Sequence, residues 1–563
     1  FNKKRSNDRK DWLINYDAKV YLDTNKELVT YEKFVKEEMI HFSKYDCDRS
    51  IPNMIDGLKT SLRKILFTCF KRRITDEIKV AQLSGSASEI SCYHHGEQSL
   101  HGAIIGMAQN FVGSNNINLL DPRGQFGTRL QGGSDSASER YIFTRLTKLA
   151  RIIFPEADDN VLAYLNDDGT QVEPTHYAPI IPMILVNGSK GIGTGFSTDI
   201  ICYDPLNIID YLSASITNAS ITNASITNDK KVNNDIAILP YYEGFKGDIK
   251  VLSDTKYLIK GKYEIINDKQ VKITELPIGT WTDDYKQFIE ELIEGDETGK
   301  KSDTTKSDTP TKNKKTQSQS GSIVKDYIDM STDLMVNITV TFTSAGIIQE
   351  LVSKETEFGC NGLEKLLKLY TTKTNTNMHV FNEQEKLVKY STIYDLINDF
   401  IKVRYTYYVK RKAYQIEELK KETLILTNKA RFITAILDNT LDLRRKKTAV
   451  ISELLKEQKY DIINNDNDFK YLVRLPMDSV SEENVEKIIK EKESQLDNLK
   501  KLQSTSESTL WLNELAHLRK EYLVYRSNKA DAIISMNETP KATKHKPVKP
   551  SKSSKNMNKT KNE

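Results

Sequence analysis

An α+β, helix-rich fold of several domains is what this sequence predicts, on three observations. The first is length: 563 residues exceed what one hydrophobic core organises, since cores stop growing near about 250–300 residues. The second is a block from about 46 to 205, rich in Gly, aromatic and apolar residues, where helical periodicity alternates with short loops. The third is a change of texture beyond that block, first to strand-like alternation and then to heptad-spaced helices.

Each element follows in order. Residues 1–45 are polar and mixed, with short helices expected around Trp12 and from Tyr31 to Phe42. Within 46–205, helices are expected over Met54–Phe70 and Ser99–Phe111. ASITN then occurs three times between Ala214 and Asn228. That period is too short for a solenoid, so 213–234 is expected to be a low-complexity surface insert. Alternation in KYLIKGKYEII, KQVKITELP and MVNITVTFT predicts strands and makes 206–375 an α/β unit. Its stretch 295–322 is almost without apolar residues and is expected to be a disordered loop rather than a linker, because strand signals lie on both sides.

Within 376–530 the pattern is helical from about 391 to 456. Ile416, Leu419, Thr423, Leu426, Ala430, Ile433 and Leu437 are spaced 3, 4, 3, 4, 3, 4, a heptad seam. In a second helix Val485, Ile489, Leu496 and Leu499 are expected to share a face. Periodicity alone fits a coiled coil or two ordinary amphipathic helices. The tail, 531–563, is basic and expected to be disordered: eight lysines and one glutamate follow Pro540. Weak DNA binding, an import signal and a merely solvated tail all fit it.

Composition narrows the function classes. Lys+Arg of 82 against Asp+Glu of 78 leaves a net charge of +4, so a nucleic-acid binder must segregate its charge. The run Lys59, Arg63, Lys64, Lys71, Arg72, Arg73 does so. Five cysteines without CxxC spacing argue against a zinc site and fit a reducing compartment. No apolar run approaches the ~20 residues that span a bilayer. The N-terminus is polar and basic, unlike a signal peptide, and lacks an initiator Met, as expected of a fragment or processed chain.

The chemistry concentrates in GGSDSASERYIFTRL, where Arg140 precedes Tyr141. A phenol with a pKa near ~10 is scarcely ionised at neutral pH. A guanidinium beside it stabilises the phenolate and the charge that builds on an attacked phosphate. The pair therefore fits a tyrosine nucleophile toward phosphorus. Alone, such a pair is better read as a surface dipeptide. The glycine-rich NGSKGIGTG around Ile192 lacks the G-x-x-x-x-G-K-[ST] pattern and defaults to a tight turn.

Taken together, SIPNMIDGLKTSLRKILFTCFKRR, KVAQLSGSASEISCYHHGEQSL, MAQNFVGSNNINLLDPRGQFGTR and EPTHYAPIIPMILVNGSKGIGTGFS closely resemble the breakage-reunion region of eukaryotic-type type IIA DNA topoisomerases, in order and spacing from about Ser50 to Pro205. The resemblance implies a winged-helix domain at 46–205 after a connector at 1–45, with Tyr141 on its wing side, and a tower domain at 206–375. It also implies an antiparallel coiled coil at 376–530, ending in an apolar dimer-gate head for which ARFITAIL and Phe469–Leu475 are candidates. It makes Tyr141 the nucleophile of a 5′-phosphotyrosyl link. Arg140 and Arg63 would contact the scissile phosphate, and His95 would assist Tyr141 or orient the phosphate, while His94 would be structural. Ile192 would be the wedge between base pairs. Lys59, Lys79, Gln125 and Arg129 are candidate DNA-backbone contacts.

The implied cofactors are Mg2+, bound by a TOPRIM domain, and ATP, bound by an ATPase domain. Neither domain's motifs occur here, so the chain is expected to begin just after TOPRIM, as a fragment or one part of a split enzyme. On its own it is expected to bind and bend DNA but to cleave only with TOPRIM and Mg2+. Duplex DNA and a second copy of the chain are the implied partners. The expected setting is the nucleus, or a host cytoplasm if the source is a large DNA virus. The sequence departs from the family where Thr60 and Leu62 replace the usual Pro and Gln. It departs again at Glu139, whose carboxylate is expected to face outward. A tyrosine recombinase or type IB-like strand transferase, and a non-catalytic architectural protein, are the alternative readings.

Overall fold

The computed structural model describes residues 5–25, 27–221, 236–294, 322–444, 446–476 and 480–537. The chain divides into Phe1–Glu521 and Tyr522–Glu563. The second unit contributes the end of the helix Glu507–Asn537, and all that follows concerns the first. Most of the ASITN repeats, the loop 295–321 and the lysine-rich end lie outside the described residues.

The winged-helix domain is built from the helices Thr60–Lys71, Val80–Ile90 and Glu97–Ala108 against a small antiparallel sheet. In that sheet Phe143–Leu146 lies between Ile78–Lys79 and Leu120–Arg123. Ile65, Leu66 and Cys69 recur on one face of the first helix and are fully buried. The expected start at Met54 is too early: the helix begins at Thr60 because Gly57, at φ +69°, makes a turn there. A Cβ on Gly57 would stand 2.5 Å from the Ile184 amide nitrogen, so only glycine fits. Upstream, Tyr31–Ser50 is one continuous helical run with a π turn at Val35–Met39.

KYLIKGKYEII, expected as one alternation, is two strands in two sheets. Lys256–Lys260 lies between Asp248–Ser253 and Tyr370–Thr374, whereas Lys262–Asn267 edges a four-stranded sheet with Gln270–Glu275, Ile338–Phe342 and Val324–Asp329. Gly261 divides them, where a Cβ would lie 2.4 Å from the Glu275 carbonyl. The helix Thr282–Glu294 covers the larger sheet through Tyr285 and Ile289. The insert expected from 213 begins later: the helix Pro205–Ile221 takes in the first repeat, with Ile216 fully buried.

The boundary placed at 376 also needs correction. Met378–Phe381 and Leu387–Tyr390 form a hairpin that bonds to the segment before the helix Thr60–Lys71 rather than joining the coiled coil. The Phe381 N–H donates to the Pro52 carbonyl (3.0 Å) and its carbonyl accepts from Met54 N–H (2.8 Å).

The helix Ile393–Leu437 is 45 residues long. Thr392 and Asp395 start it with a reciprocal capping box. Glu482–Ser504 returns antiparallel along it: Lys412 pairs with Glu507 near one end, while Phe432 and Ile433 share an apolar cluster with Val485 and Ile488 near the other. Ile488 therefore faces the seam, and Ile489, which the spacing favoured, is exposed. The head gathers Phe432, Ile433, Leu455, Phe469 and Leu472. At the base, Arg404 of the long helix donates to the Ala178 carbonyl (2.8 Å) and Trp511 Nε1, on the following helix Glu507–Asn537, to the Ile180 carbonyl (3.0 Å), so these two helices are seated on the winged-helix domain.

Candidate functional site

Tyr141 stands at the corner leading into the central strand Phe143–Leu146. Its neighbour Ile142 is buried, and the Ile142 carbonyl accepts from Val80 N–H (3.1 Å). Ile142 is anchored inward while Tyr141, in the turn just before the strand, projects into solvent at 71% exposure. Tyr141 N–H donates to the Ser138 carbonyl (2.9 Å), which tightens the turn. Arg140 Cζ lies 6.0 Å from the Tyr141 ring centroid, so a permanent cation accompanies the phenol into solvent. The Glu139 carboxylate accepts from the Ser138 hydroxyl (3.2 Å). A hydrogen bond from its own backbone N–H chiefly holds its pKa below the usual value, and Arg140 contributes least among the named causes.

Arg63 is not at this corner. It is 8% exposed, and its Nε and Nη2 donate to the Asp56 carboxylate at 2.7 and 3.1 Å, with Nη2 also meeting the Leu58 carbonyl at 2.9 Å. A guanidinium so engaged is a structural brace, and the expected phosphate contact is withdrawn. Asp56 also accepts from Tyr177 N–H (3.0 Å). Arg129 is corrected likewise: 7% exposed, it forms an ion pair with buried Glu275 and ties the GQFGTR loop to the sheet domain. Gln125 stays exposed and donates to Asp135 (3.4 Å).

His95 lies in a cleft of about 190 Å³ lined by Tyr45, Arg49, Lys64, Tyr93, His94 and Asp167, among others. Burial first, then the charges of Arg49, His94 and Lys64, hold its pKa below the ordinary histidine value. Its Nε2 is hydrogen-bonded to the Tyr45 hydroxyl. Among the described residues no hydrogen bond joins His95 to Tyr141. His94 is exposed, with Nε2 3.4 Å from Asp167 Oδ2.

Ile192 ends the strand Ser189–Ile192, which pairs with Ser197–Ile200. It is 85% exposed, as an intercalating wedge requires. The surrounding glycines are not loose. A Cβ on Gly191 would sit 2.0 Å from the Ser50 carbonyl, and one on Gly193 3.2 Å from Cys47. Asp46 accepts from both the N–H and the hydroxyl of Thr194, at 2.8 and 2.9 Å. The helix Ile40–Ser50 thus clamps the hairpin and leaves its apolar tip in solvent. Lys59 Nζ donates to the Lys190 carbonyl (2.6 Å), and burial lowers its pKa. Lys79 is exposed, its ammonium 5.8 Å from the Phe143 ring centroid.

Sequence reasoning does not reach Asp46 and Asp56. Asp56 leaves a faint sequence signal, an acid seven residues before an arginine in an otherwise basic, apolar stretch. Asp46 leaves none, since its partner is 148 residues away. Among the described residues no group of three or more His, Cys, Asp or Glu side chains could hold a metal ion, so the described residues do not fit Mg2+. No described helix is long and apolar enough to cross a membrane.

A winged-helix domain, a tower sheet and a long coiled coil, with an Arg–Tyr corner in solvent, make up the breakage-reunion class of architecture. The chain belongs to the type IIA topoisomerase family: residues 49–516 match the A-type subunit of DNA gyrase/topoisomerase IV, and residues 1–47 match the C-terminal associated domain of TOPRIM. It is 38% identical over 551 residues to the DNA topoisomerase 2 of Plasmodium falciparum, covering 92% of this chain and 36% of that protein. To human DNA topoisomerase 2-beta it is 35% identical over 595 residues, covering 98% of this chain and 34% of that protein. The crystal structure of the Plasmodium falciparum topoisomerase II DNA-binding, cleavage and re-ligation domain matches with a TM-score of 0.80 at 38% identity, over 96% of this chain and 70% of that one. The chain spans about a third of the length of the curated relatives it matches.

Proposed function

We propose that this chain is the DNA breakage-reunion core of an ATP-dependent type IIA topoisomerase, which relaxes and decatenates DNA. The Tyr141 oxygen attacks a backbone phosphorus in line. A 5′-phosphotyrosyl bond forms as the bond to the neighbouring 3′-oxygen breaks; the phenol gives up its proton and the 3′-oxygen gains one. Arg140 stabilises the phenolate and the charge on the non-bridging oxygens. Religation reverses each transfer. One tyrosine cuts one strand, so two copies acting on opposite strands open a gate for a second duplex. Ile192 unstacks a base step, at a cost of a few kcal/mol, and the bent duplex offsets this with new contacts.

Exposure of Tyr141 with a guanidinium beside its ring is the observation that carries this reading. Mg2+ and ATP belong to TOPRIM and ATPase regions supplied in cis or by a partner, and the setting is the nucleus, or a host cytoplasm for a viral chain. The test is to incubate the chain with a TOPRIM-bearing partner, Mg2+ and duplex DNA, trap covalent complexes with detergent, and sequence the attached ends. Linkage through a 5′-phosphate, lost in Tyr141→Phe, is expected. A 3′-linkage would favour a tyrosine recombinase or type IB-like enzyme, and no covalent complex an architectural protein.

A further inference from the structure

Building on that function, we propose that Tyr45 is a positioning residue for His95: its phenol donates to His95 Nε2, fixes the ring, and leaves Nδ1–H as the donor to the DNA backbone. Tyr45 lies upstream of the Ser50–Pro205 blocks, within residues 1–47, which match the C-terminal associated domain of TOPRIM. It projects from the helix Ile40–Ser50 into the His95 cleft. The imidazole is held on two sides, edge-on by Tyr93 with centroids 5.2 Å apart, and by Tyr45 at 5.6 Å and 36°. The hydroxyl of Tyr45 reaches His95 Nε2.

The direction of that hydrogen bond follows from chemistry. Arg49 from Tyr45's own helix, Lys64 from Thr60–Lys71 and the adjacent His94 face His95, and with burial they favour the uncharged ring. Asp48, Cys92 and Asp167 complete the ionisable lining. A neutral imidazole has one donor and one acceptor nitrogen. A phenol is the stronger donor and an sp2 ring nitrogen the stronger acceptor, so the shared proton stays on Tyr45 and the ring carries its own on Nδ1. Among the described residues Nδ1 makes no hydrogen bond. It is therefore available to a phosphate oxygen. The same helix clamps the Ile192 hairpin through Asp46, so wedge and histidine share one support.

Two measurements test this on Tyr45→Phe, which removes only the hydroxyl. Nitrogen-15 NMR of histidine-labelled chain, at a pH where His95 is neutral, should show the Nδ1–H tautomer in the parent and a shift toward Nε2–H in the variant. Covalent-complex formation with a TOPRIM-bearing partner, Mg2+ and duplex DNA should fall about three- to tenfold, the scale of one neutral hydrogen bond. It should fall no further when Tyr45→Phe is added to His95→Gln. An unchanged tautomer, or additive losses in the double variant, would overturn the proposal. If the parent forms no covalent complex, the proposed function fails instead, and the tautomer measurement still decides the role of Tyr45.

Discussion

Arg63 and Asp56 form a two-pronged ion pair inside the winged-helix domain, Nε to Oδ2 at 2.7 Å and Nη2 to Oδ1 at 3.1 Å, with Asp56 fully buried. Removing one member strands a buried charge, which costs about 3–5 kcal/mol. Arg63→Ala is accordingly expected to lower stability to urea by that amount, and Asp56→Ala similarly. An Arg63→Ala protein as stable as its parent, yet weaker on DNA, would restore Arg63 to the phosphate.

Ile192 and Gly191 should separate function from folding. Ile192→Ala changes a solvated side chain, so stability should move by less than about 0.5 kcal/mol while DNA bending, followed by energy transfer between duplex ends, decreases. Gly191→Ala drives a Cβ into the Ser50 carbonyl and should cost about 1–3 kcal/mol. Full bending by Ile192→Ala would remove the wedge.

Glu139→Ala is expected to leave covalent-complex formation within about threefold of the parent, the scale of a surface substitution. Its carboxylate is occupied by Ser138 and its own backbone rather than by an ion pair with Arg140. Abolished cleavage would place Glu139 in the chemistry.

His176 gives the seat of the long helix a pH dependence. Burial pushes its pKa down to about 4, and its Nε2 shares a 2.8 Å hydrogen bond with the Tyr407 hydroxyl. The unfolded chain takes up a proton near the ordinary histidine pKa of about 6.5, before the native state does. Stability is therefore full above that value and declines as pH falls toward 4, by at most about 3 kcal/mol from this group. Denaturation of parent and His176→Gln across that range should differ in slope, the variant losing less on acidification. Parallel curves would contradict a neutral buried His176.

The legible parts of the sequence are those whose signal is local. Periodicity locates two of the winged-helix domain's helices, Thr60–Lys71 and Glu97–Ala108, and the long Ile393–Leu437 helix, but not Val80–Ile90; alternation locates Gln270–Glu275 and Ile338–Phe342 of the larger sheet but not Val324–Asp329. Tyr141 and Ile192 come from motif resemblance, and both emerge in solvent. Arg63 and Arg129 mislead because an arginine in a basic stretch looks the same whether it meets solvent or a buried carboxylate. Their partners Asp56 and Glu275 declare themselves only after folding. The Met378–Tyr390 hairpin falls to the wrong neighbour for the same reason: the Pro52 and Met54 backbone groups it bonds lie more than 300 residues earlier.

A helix of 45 residues spans about 68 Å at 1.5 Å per residue, which makes the Ile393–Leu437 segment a mechanical amplifier. A rotation of about 5° at its foot, where Arg404 meets Asp158 (2.8 Å) and Arg411 meets Glu514 (2.7 Å), carries the far end about 6 Å on that length. If the helix moves as a rigid rod, the length of Ile393–Leu437 sets that gain, and the two ion pairs at its foot are the contacts such a rotation would have to shift.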